Sequence, residues 1–323
     1  MLRPMMHRRT LAALALAPLA AQAQSFPDRA MRMVLAYGAG GPSDTVARLI
    51  ARHMSAELGQ TMVVDNRPGA GGQLATEQVT RAPGDGHSLL MVDNGMVIYA
   101  PALFARLPYD PDTDLTGVGM IARFPLMLIV RADNPVRDFA GFVAAARTRP
   151  PTFGSGGVAS PHHLGMELLR RAAGFEATHV PYRNSPAAIQ DMMAGQVDAM
   201  LADSATATLA MRNGQARALM VMAGERVTAL APDAPTSREL GMPDALADAW
   251  MALSTHAGTP APSVARLNAA LSRALAQEEV RTVLRNINAQ PAPGDAAAFN
   301  AVVRAESARW RPLIRELGIR LEG

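Results

Sequence analysis

The sequence lacks both cysteine and lysine, and each absence excludes functions. None of the 323 residues is Cys, which excludes disulfides, thiolate catalysis and cysteine-based zinc or iron–sulfur sites. All 31 residues of the combined Lys and Arg count are Arg. A chain without lysine forms no Schiff base with pyridoxal phosphate and completes no Walker A phosphate loop. The corresponding classes of enzyme are therefore excluded.

Aromatic residues are scarce, and the charge is balanced over most of the chain. Aromatics make up 4% of the residues and the arginines are scattered, so no nucleic-acid surface is expected. Three of the 31 arginines lie in residues 1–23, which hold no acidic residue, so the other 28 match the 28 Asp and Glu residues. The hydrophobic share of 49% is typical of a globular protein, and the length of 323 residues favours two domains.

The N-terminus has the three regions of an export signal. A basic stretch at residues 1–9 precedes an apolar run at residues 11–20, and Ala21-Gln22-Ala23 has the small-x-small pattern of a cleavage site. The apolar run is shorter than the about 20 residues that a membrane span needs. We therefore expect cleavage after Ala23 and a periplasmic protein. The pair Arg8-Arg9 leaves the general secretory and twin-arginine routes both open.

Strand and helix patterns alternate along the rest of the chain. Short apolar runs predict strands at residues 31–37, 61–64, 88–92, 127–130, 152–153, 177–180, 197–201 and 218–222. Apolar residues at helical spacing follow most of these runs, and the tail after residue 260 is mainly helical. Alternation of this kind predicts an α/β fold whose sheets are mostly parallel and flanked by helices. Two blocks of similar layout occupy residues 24–125 and 126–248.

Three turns from a strand into a helix have the composition of an anion site. They lie at residues 37–44, 154–161 and 182–186, and they contain Gly, Ser and Pro. The first turn of a helix has unpaired backbone N–H groups and the positive end of its dipole, so it binds a carboxylate without Lys or Arg. The same residues also end strands and cap helices; Ser160-Pro161 and Ser185-Pro186 fit an N-cap followed by Pro. Three such turns together favour a binding cleft.

The candidate binding residues come from these turns and from the next helix start. For Asp44 two roles stay open, which are to accept from a ligand ammonium group or to favour the helix N-terminus. No metal or cofactor is predicted. The candidate ligand-binding residues are Tyr37, Gly38, Ala39, Gly40, Ser43, Asp44, Gly154, Ser155, Gly156, Ser160, His163, Tyr182, Ser185 and Asp203.

Enzyme chemistry has weaker support in the sequence. Residues 154–159 satisfy G-x-G-x-x-G/A and Glu176 lies about 20 residues further on, which is typical of dinucleotide binding. An exported protein meets little nicotinamide cofactor, so a dehydrogenase is the lesser alternative. The chain has no G-x-S-x-G elbow. His162 and His163 are interpreted as first-turn helix residues, because adjacent histidines point to different faces and lack a third zinc ligand at suitable spacing. We therefore predict a non-enzymatic protein.

An ordered series of short motifs resembles the Bug family, which comprises the extracytoplasmic solute receptors of tripartite tricarboxylate transporters. Single pieces are weak, whereas the series in this order is specific. The matching pieces are Phe26-Pro27, residues 38–44 with Ala47-Arg48, Gly59-Gln60, residues 64–72, residues 82–88, residues 107–111, residues 154–157 with His163-Leu164, residues 179–182 with Pro186-Ala187, Pro235-Thr236, Trp250 and residues 258–260.

The resemblance implies a two-lobed periplasmic binding protein of type II. The first lobe would comprise residues 24–125 and 249–323, and the second residues 126–248, with crossings near residues 123–127 and 247–251. A small carboxylate would lie between the lobes, held chiefly by backbone N–H groups, hydroxyl groups and waters. The implied partners are the membrane permease subunits of such a transporter. A ligand-sensing subunit for a signalling partner is the alternative of the same binding class.

Overall fold

The computed structural model describes residues 26–227 and 230–321, and its elements follow the predicted alternation. The predicted export signal and the cleavage after Ala23 lie outside the described residues. The strands within these ranges are β1 (Met31–Leu35), β2 (Met62–Asn66), β3 (Ser88–Asp93), β4 (Leu115–Arg131), β5 (Thr152–Ser155), β6 (Thr178–Pro181), β7 (Ala199–Asp203), β8 (Ala216–Val221), β9 (Asp248–His256) and β10 (Gln290–Pro291).

The helices lie between and after these strands. They are α1 (Pro42–Leu58), α2 (Gln73–Thr80), α3 (Ala100–Leu103), α4 (Pro111–Asp114), α5 (Phe139–Thr148), α6 (Pro161–Ala173), α7 (Ser185–Met193), α8 (Ser204–Arg212), α9 (Ala261–Ala276), α10 (Glu278–Asn286) and α11 (Ala296–Glu316), with a short 3-10 helix at Ala70–Gly72 and a π-helical turn at Gly95–Tyr99. Within the described ranges, no helix has the length and apolar character that a membrane crossing requires.

Two predictions about local structure need correction. The sequence patterns predicted the second half of β4 and missed its first half, where Gly117, Gly119 and Pro125 interrupt the apolar run. This half is held by its pairing with β9, which the patterns also missed. At α7 the N-cap is Asn184 and not Ser185, because the Asn184 side chain accepts a hydrogen bond from the Ala187 N–H at 2.9 Å. Ser185 is the first residue of the helix.

The strands form a mixed sheet in the order β2-β1-β3-β9-β4-β7-β5-β6. β1 is parallel to β2 and β3, and β5 is parallel to β6 and β7, as the α/β alternation predicts. The central strands β9 and β4 are antiparallel to their neighbours, and β8 and β10 also pair with β4. Two groups of parallel strands are therefore joined through a pair of long antiparallel strands.

β4 changes its partners halfway along its length. Residues 115–125 pair with β9, where Pro125 lies opposite Asp248. Residues 126–129 pair with β7, residues 127–131 also pair with β8, and Leu126 lies opposite Asp203. The change between Pro125 and Leu126 falls inside the stretch where the first crossing between lobes is predicted. The bounds of the lobes stay a prediction.

The carboxyl ends of both groups of parallel strands point to this change of partners. Asp93 at the end of β3 lies opposite Met251 of β9, which lies opposite Ala122 of β4. Asp203 at the end of β7 lies opposite Leu126 of the same strand. Ala122 and Leu126 are four residues apart on β4, or roughly 13 Å at the rise of a strand. The turns after β1, β3, β5 and β7 therefore approach one junction, the usual place for a ligand in an open α/β sheet.

The C-terminal helix packs where the two groups of strands meet. Trp250 of β9 and Trp310 of α11 are among the largest fully buried side chains. Trp250 packs edge-on against Phe299 with ring centroids 5.5 Å apart, and Trp310 packs edge-on against Tyr99 at 5.6 Å. Burying aromatic rings of this size contributes strongly to stability. The packing fixes α11 against the central strands β4 and β9.

Candidate functional site

The first candidate turn, between β1 and α1, is held in shape by Asp44. The Asp44 side chain is 4% exposed and accepts hydrogen bonds at 2.9 Å from the Gly40 N–H, from Nε of Arg48 and from Nδ2 of Asn66. The hydrogen bond from Arg48, with those from Gly40 and Asn66, lowers the pKa of Asp44 to about 2 against the opposing effect of burial. Gly40 has a φ of +83°, which favours glycine. Of the two predicted roles for Asp44, the structure supports that of fixing the helix start.

Tyr37, at the start of this turn, contacts Asp93, a residue that the sequence analysis missed. Tyr37 is 46% exposed, yet its hydroxyl donates to Oδ2 of Asp93. Asp93 also accepts from the Met96 N–H at 3.0 Å, and burial raises its pKa. The negative charge of Asp93, with the hydrogen bond to it, raises the pKa of Tyr37 well above its usual value. The signal for Asp93 is present in the sequence, since Asp93-Asn94-Gly95 follows a buried strand like the other turns.

The accessible part of the first turn is its backbone. Gly38, Ala39 and Gly40 are exposed, and Ser43 is partly buried at the start of α1. A Cβ atom added at Gly38 would have no atom of the described residues within 4 Å, and the φ of Gly38 lies outside the left-handed region. A ligand can therefore approach the backbone closely at Gly38, as the prediction requires.

In the second turn, Gly154 and Ser155 are buried, and their contact with a ligand stays a prediction. Ser155 is fully buried, and its hydroxyl donates to the Gly157 carbonyl at 2.8 Å and lies 2.7 Å from Nε2 of His179. Gly154 is buried in β5, where an added Cβ would lie 3.2 Å from that of Ala188. Both residues are therefore packed in the interior below the turn, where they support its conformation.

His163 also lies in the core, and its contact with a ligand likewise stays a prediction. It is 7% exposed, its Nδ1 accepts from the Ala159 N–H at 3.0 Å, and its ring stacks on His179 with centroids 3.7 Å apart. Burial is the main cause that lowers the pKa of both histidines to about 4. Ser160 is the N-cap of α6 as predicted, since its hydroxyl accepts from the His163 N–H at 3.3 Å.

Gly156 brings the second turn against the start of α7. A Cβ atom at Gly156 would lie 2.6 Å from Oγ of Ser185 and 3.0 Å from its backbone nitrogen. A side chain at Gly156 is therefore excluded by packing, whatever binds nearby. Tyr182 also packs against the second turn. Its N–H donates to the Ser155 carbonyl at 3.0 Å, and Cε2 of its ring would lie 3.4 Å from a Cβ at Gly154.

His162 connects the starts of three helices, a role that the sequence did not predict. Its Nε2 lies 2.8 Å from Oδ2 of Asp203, the N-cap of α8, and its Nδ1 lies 3.4 Å from Oγ of Ser185 in α7. Asp203 also accepts from the N–H and the hydroxyl of Thr206, both at 2.8 Å. Burial opposes the ionised form of Asp203, yet the hydrogen bonds from His162 and Thr206 lower its pKa. The N-termini of α6, α7 and α8 therefore converge around one imidazole.

A cavity of about 490 Å³ lies at the change of partners of β4, where Pro125, Asp248 and residues of α11 line it. It is lined by Arg123, Asp248, Glu306 and Arg309 among others, and none of the predicted binding residues lines it. In its wall, Arg123 pairs with Asp248 at 2.5 Å and with Glu306 at 3.5 Å. This ion cluster joins β4, β9 and α11, so we assign it to the support of the crossing strands and not to the candidate site.

The fold is that of the two-lobed periplasmic binding proteins, and comparison with known proteins identifies the family. The sequence model of a protein family, described as the tripartite tricarboxylate transporter family receptor, matches residues 46–319. The chain therefore belongs to this family of solute-binding receptors, which confirms the resemblance seen in the motifs. A UPF0065 protein from the tcbD-tcbE intergenic region of Pseudomonas sp. (strain P51) is 37% identical over 96% of this chain and 94% of its own length.

Solved structures of similar chains have the same fold. MatC from Rhodopseudomonas palustris, with bound malate, is 37% identical and superposes with a TM-score of 0.74, covering 90% of this chain and 100% of that one. Rpa4515 of R. palustris, with adipate, is 32% identical with a TM-score of 0.78, covering 92% and 100%. The family and fold are those of binding proteins and not of enzymes.

Proposed function

We propose that this receptor captures a small carboxylate between its two lobes and presents it to the permease subunits of a tripartite tricarboxylate transporter. The observation that carries the proposal is the convergence of the α6, α7 and α8 N-termini beside the sheet junction. Helix N-termini offer unpaired N–H groups and a positive dipole end, which suit a carboxylate. The bound malate of MatC and the bound adipate of Rpa4515 support this class of ligand.

The proposed contacts use backbone groups and hydroxyl groups from both sides of the junction. The turn at residues 38–44 and the turn at residues 154–160 contain neither Lys nor Arg. Asp203 and Asp44 act indirectly, since their carboxylates hold the helix starts. The residues proposed to face the ligand are Tyr37, Gly38, Ala39, Gly40, Ser43, Gly156, Ser160, Tyr182 and Ser185.

The proposal includes the predicted organisation and location of the chain. The lobes comprise residues 24–125 with 249–323 and residues 126–248, and the export signal is removed after Ala23. N-terminal sequencing of protein recovered from the periplasm should therefore begin at Gln24. A mature form that keeps Met1 would contradict the export step.

Calorimetry with defined carboxylates tests the binding function. Malate, adipate, citrate and benzoate are titrated into the purified protein, with the amine putrescine as a control for charge. We expect saturable binding of at least one carboxylate at one molecule per chain, no binding of putrescine, and recovery of the ligand with unchanged mass. Failure of every carboxylate to bind, or chemical conversion of a bound one, would overturn the proposal.

A further inference from the structure

His162 adds a titratable group to the proposed site, and its surroundings constrain its protons. Its imidazole is 8% exposed, with Nε2 at 2.8 Å from the Asp203 carboxylate and Nδ1 at 3.4 Å from the Ser185 hydroxyl. An ionised carboxylate only accepts hydrogen bonds, so the proton of a neutral His162 lies on Nε2. Nδ1 is then an acceptor, and Ser185 donates its O–H to it.

This direction of the hydrogen bonds conflicts with the binding of a carboxylate at Ser185. When its O–H is given to His162, Ser185 presents lone pairs to a ligand, and a carboxylate has no proton to donate to them. A proton added to Nδ1 reverses the bond, because both imidazole nitrogens then donate. Ser185 accepts from Nδ1, and its own O–H becomes free to donate to the ligand.

We propose that His162 is a positioning residue for Ser185, and that the receptor takes up a proton on His162 when it captures a carboxylate. The inference rests on the proposed function, since it needs a carboxylate at Ser185. The imidazolium lies between the Asp203 carboxylate and the incoming negative charge, and both favour its charged form. By linkage, a receptor that takes up a proton with its ligand binds the carboxylate more tightly as the pH falls.

Among the charged and titratable groups near Ser185, we expect His162 to be the one that takes up the proton when ligand binds. On α6 itself, the neighbouring His163 stacks on His179 of β6, and both have pKa values of about 4, so they stay neutral above pH 5. Glu167 of α6 is paired with Arg170 at 2.6 Å. From α8 the facing group is Asp203, and the segment before α7 contributes the exposed Arg183.

Buffer-dependent calorimetry measures the proton directly. Malate and adipate, and any other carboxylate that binds, are titrated between about pH 5 and pH 8, the range in which histidines titrate. Each titration is repeated in two non-carboxylate buffers that hold the chosen pH and differ in ionisation enthalpy, such as MES and Bis-Tris in the lower range and HEPES and Tris in the upper range. We expect uptake of up to one proton per ligand, and an affinity that weakens by up to about tenfold per pH unit as the pH rises.

Two variants and one control separate this role from a merely structural one. His162→Gln should bind without proton uptake and with a flat pH profile. Ser185→Ala should reduce proton uptake, because it removes the hydrogen bond that reverses, and it leaves the α7 cap in place because that cap is Asn184. The control His53→Gln removes a histidine that lies beside another carboxylate, Glu279 at 3.5 Å, and should keep the proton uptake. Circular dichroism confirms that each variant is folded.

The outcomes distinguish this inference from the proposed function. Carboxylate binding without proton uptake in the unaltered protein would overturn the role of His162 and leave the receptor function standing. Proton uptake that persists in His162→Gln would also overturn it. Failure of all probes to bind would overturn both.

Discussion

The two glycines at the centre of the candidate turns have different surroundings, although their sequence contexts are similar. At Gly156 an added Cβ would lie 2.6 Å from Ser185 Oγ, whereas at Gly38 it would meet no atom within 4 Å among the residues that the structure describes. A bulky residue at Gly156 would therefore disturb the packing of the turn against α7 as well as any ligand. Gly38 is the position where blocked backbone access can be tested without damage to the protein.

Substitution of Gly38 tests whether the backbone of the first turn contacts the ligand. We expect carboxylate affinity to fall in the order Gly38, Gly38→Ala, Gly38→Val, while the melting temperature stays unchanged. Loss of one hydrogen bond to a charged group costs about 1.5–3 kcal/mol, or roughly 10- to 150-fold in affinity. Calorimetry gives the affinity and thermal unfolding gives the stability.

The Arg183→Ala variant tests the competing explanation, in which Arg183 binds the ligand carboxylate through an ion pair. Arg183 is exposed just before α7, and arginine is a common carboxylate ligand. Backbone binding predicts a small effect of this variant. Abolished binding in Arg183→Ala together with normal binding in Gly38→Val would contradict the backbone mechanism.

At the scale of elements, the stacked histidines that join α6 to β6 make the stability of the protein depend on pH. The pKa values of His163 and His179 are about 4 in the folded protein, below the about 6.5 of an unfolded chain. Between these values the unfolded state binds more protons, so the free energy of unfolding falls as the pH falls. We expect the full free energy of unfolding above about pH 6.5 and a loss of roughly 3 kcal/mol for the stacked pair as a whole towards pH 4. Urea unfolding measured from pH 7.5 to pH 4.5 checks this trend.

His163→Asn assigns the pH effect to the stack. Asparagine has an oxygen near the position of Nδ1, so it can still accept from the Ala159 N–H, but it does not titrate. We expect a flatter pH dependence of the unfolding free energy in this variant. His53→Gln, on α1, should keep the full slope. An unchanged slope in His163→Asn would rule out the stack as its source.

The crossing strands β4 and β9 depend on the ion cluster of Arg123. Its guanidinium lies between Asp248 and Glu306, whose pKa values burial raises. Arg123→Met would remove the cation that contacts both carboxylates and leave only the more distant charge of Arg309, at a cost of up to about 3–5 kcal/mol at neutral pH. The loss should shrink as the pH falls, because protonation then neutralises both carboxyls. Denaturant unfolding of the variant at pH 7 and pH 5 measures the difference.

A second arginine on β4 gives the control for this prediction. Arg131, at the end of the strand, pairs with Asp133, and their side chains are 37% and 66% exposed. An exposed pair contributes about 0–1 kcal/mol, so Arg131→Met should change stability by no more than that. Equal losses from both variants would show that burial of the Arg123 cluster is not what makes it important.

At the scale of the whole molecule, the two crossings predict closure around the ligand. β4 changes partners between Pro125 and Leu126, and β9 begins opposite Pro125 at Asp248, so the crossings run side by side. Paired strands of this kind form a hinge that ligand binding can bias towards a closed form. Small-angle X-ray scattering should show a smaller radius of gyration with a saturating carboxylate. Gly38→Val under the same conditions should show little change, and unchanged scattering of the saturated original protein would indicate a rigid pocket.

The sequence by itself determined the class of fold, the α/β alternation and the start of several helices. Ser160 was predicted as a helix cap, and its hydroxyl accepts a hydrogen bond from the N–H of the residue three positions further on. Such features depend on hydrogen bonds between near neighbours in the chain, which leave a regular trace in the order of residues. The series of motifs identified the family for the same reason, since each motif is local.

The tertiary structure decided which of the candidate residues are open and which are buried. Ser155 and His163 follow the pattern of binding turns, yet packing against β6 places both in the core. The contact of Tyr37 with Asp93 joins residues 56 apart in sequence, and that of His162 with Asp203 joins residues 41 apart. Contacts at such separations depend on strand register and sheet order, which are set by the packing of the whole chain and leave no local pattern to read.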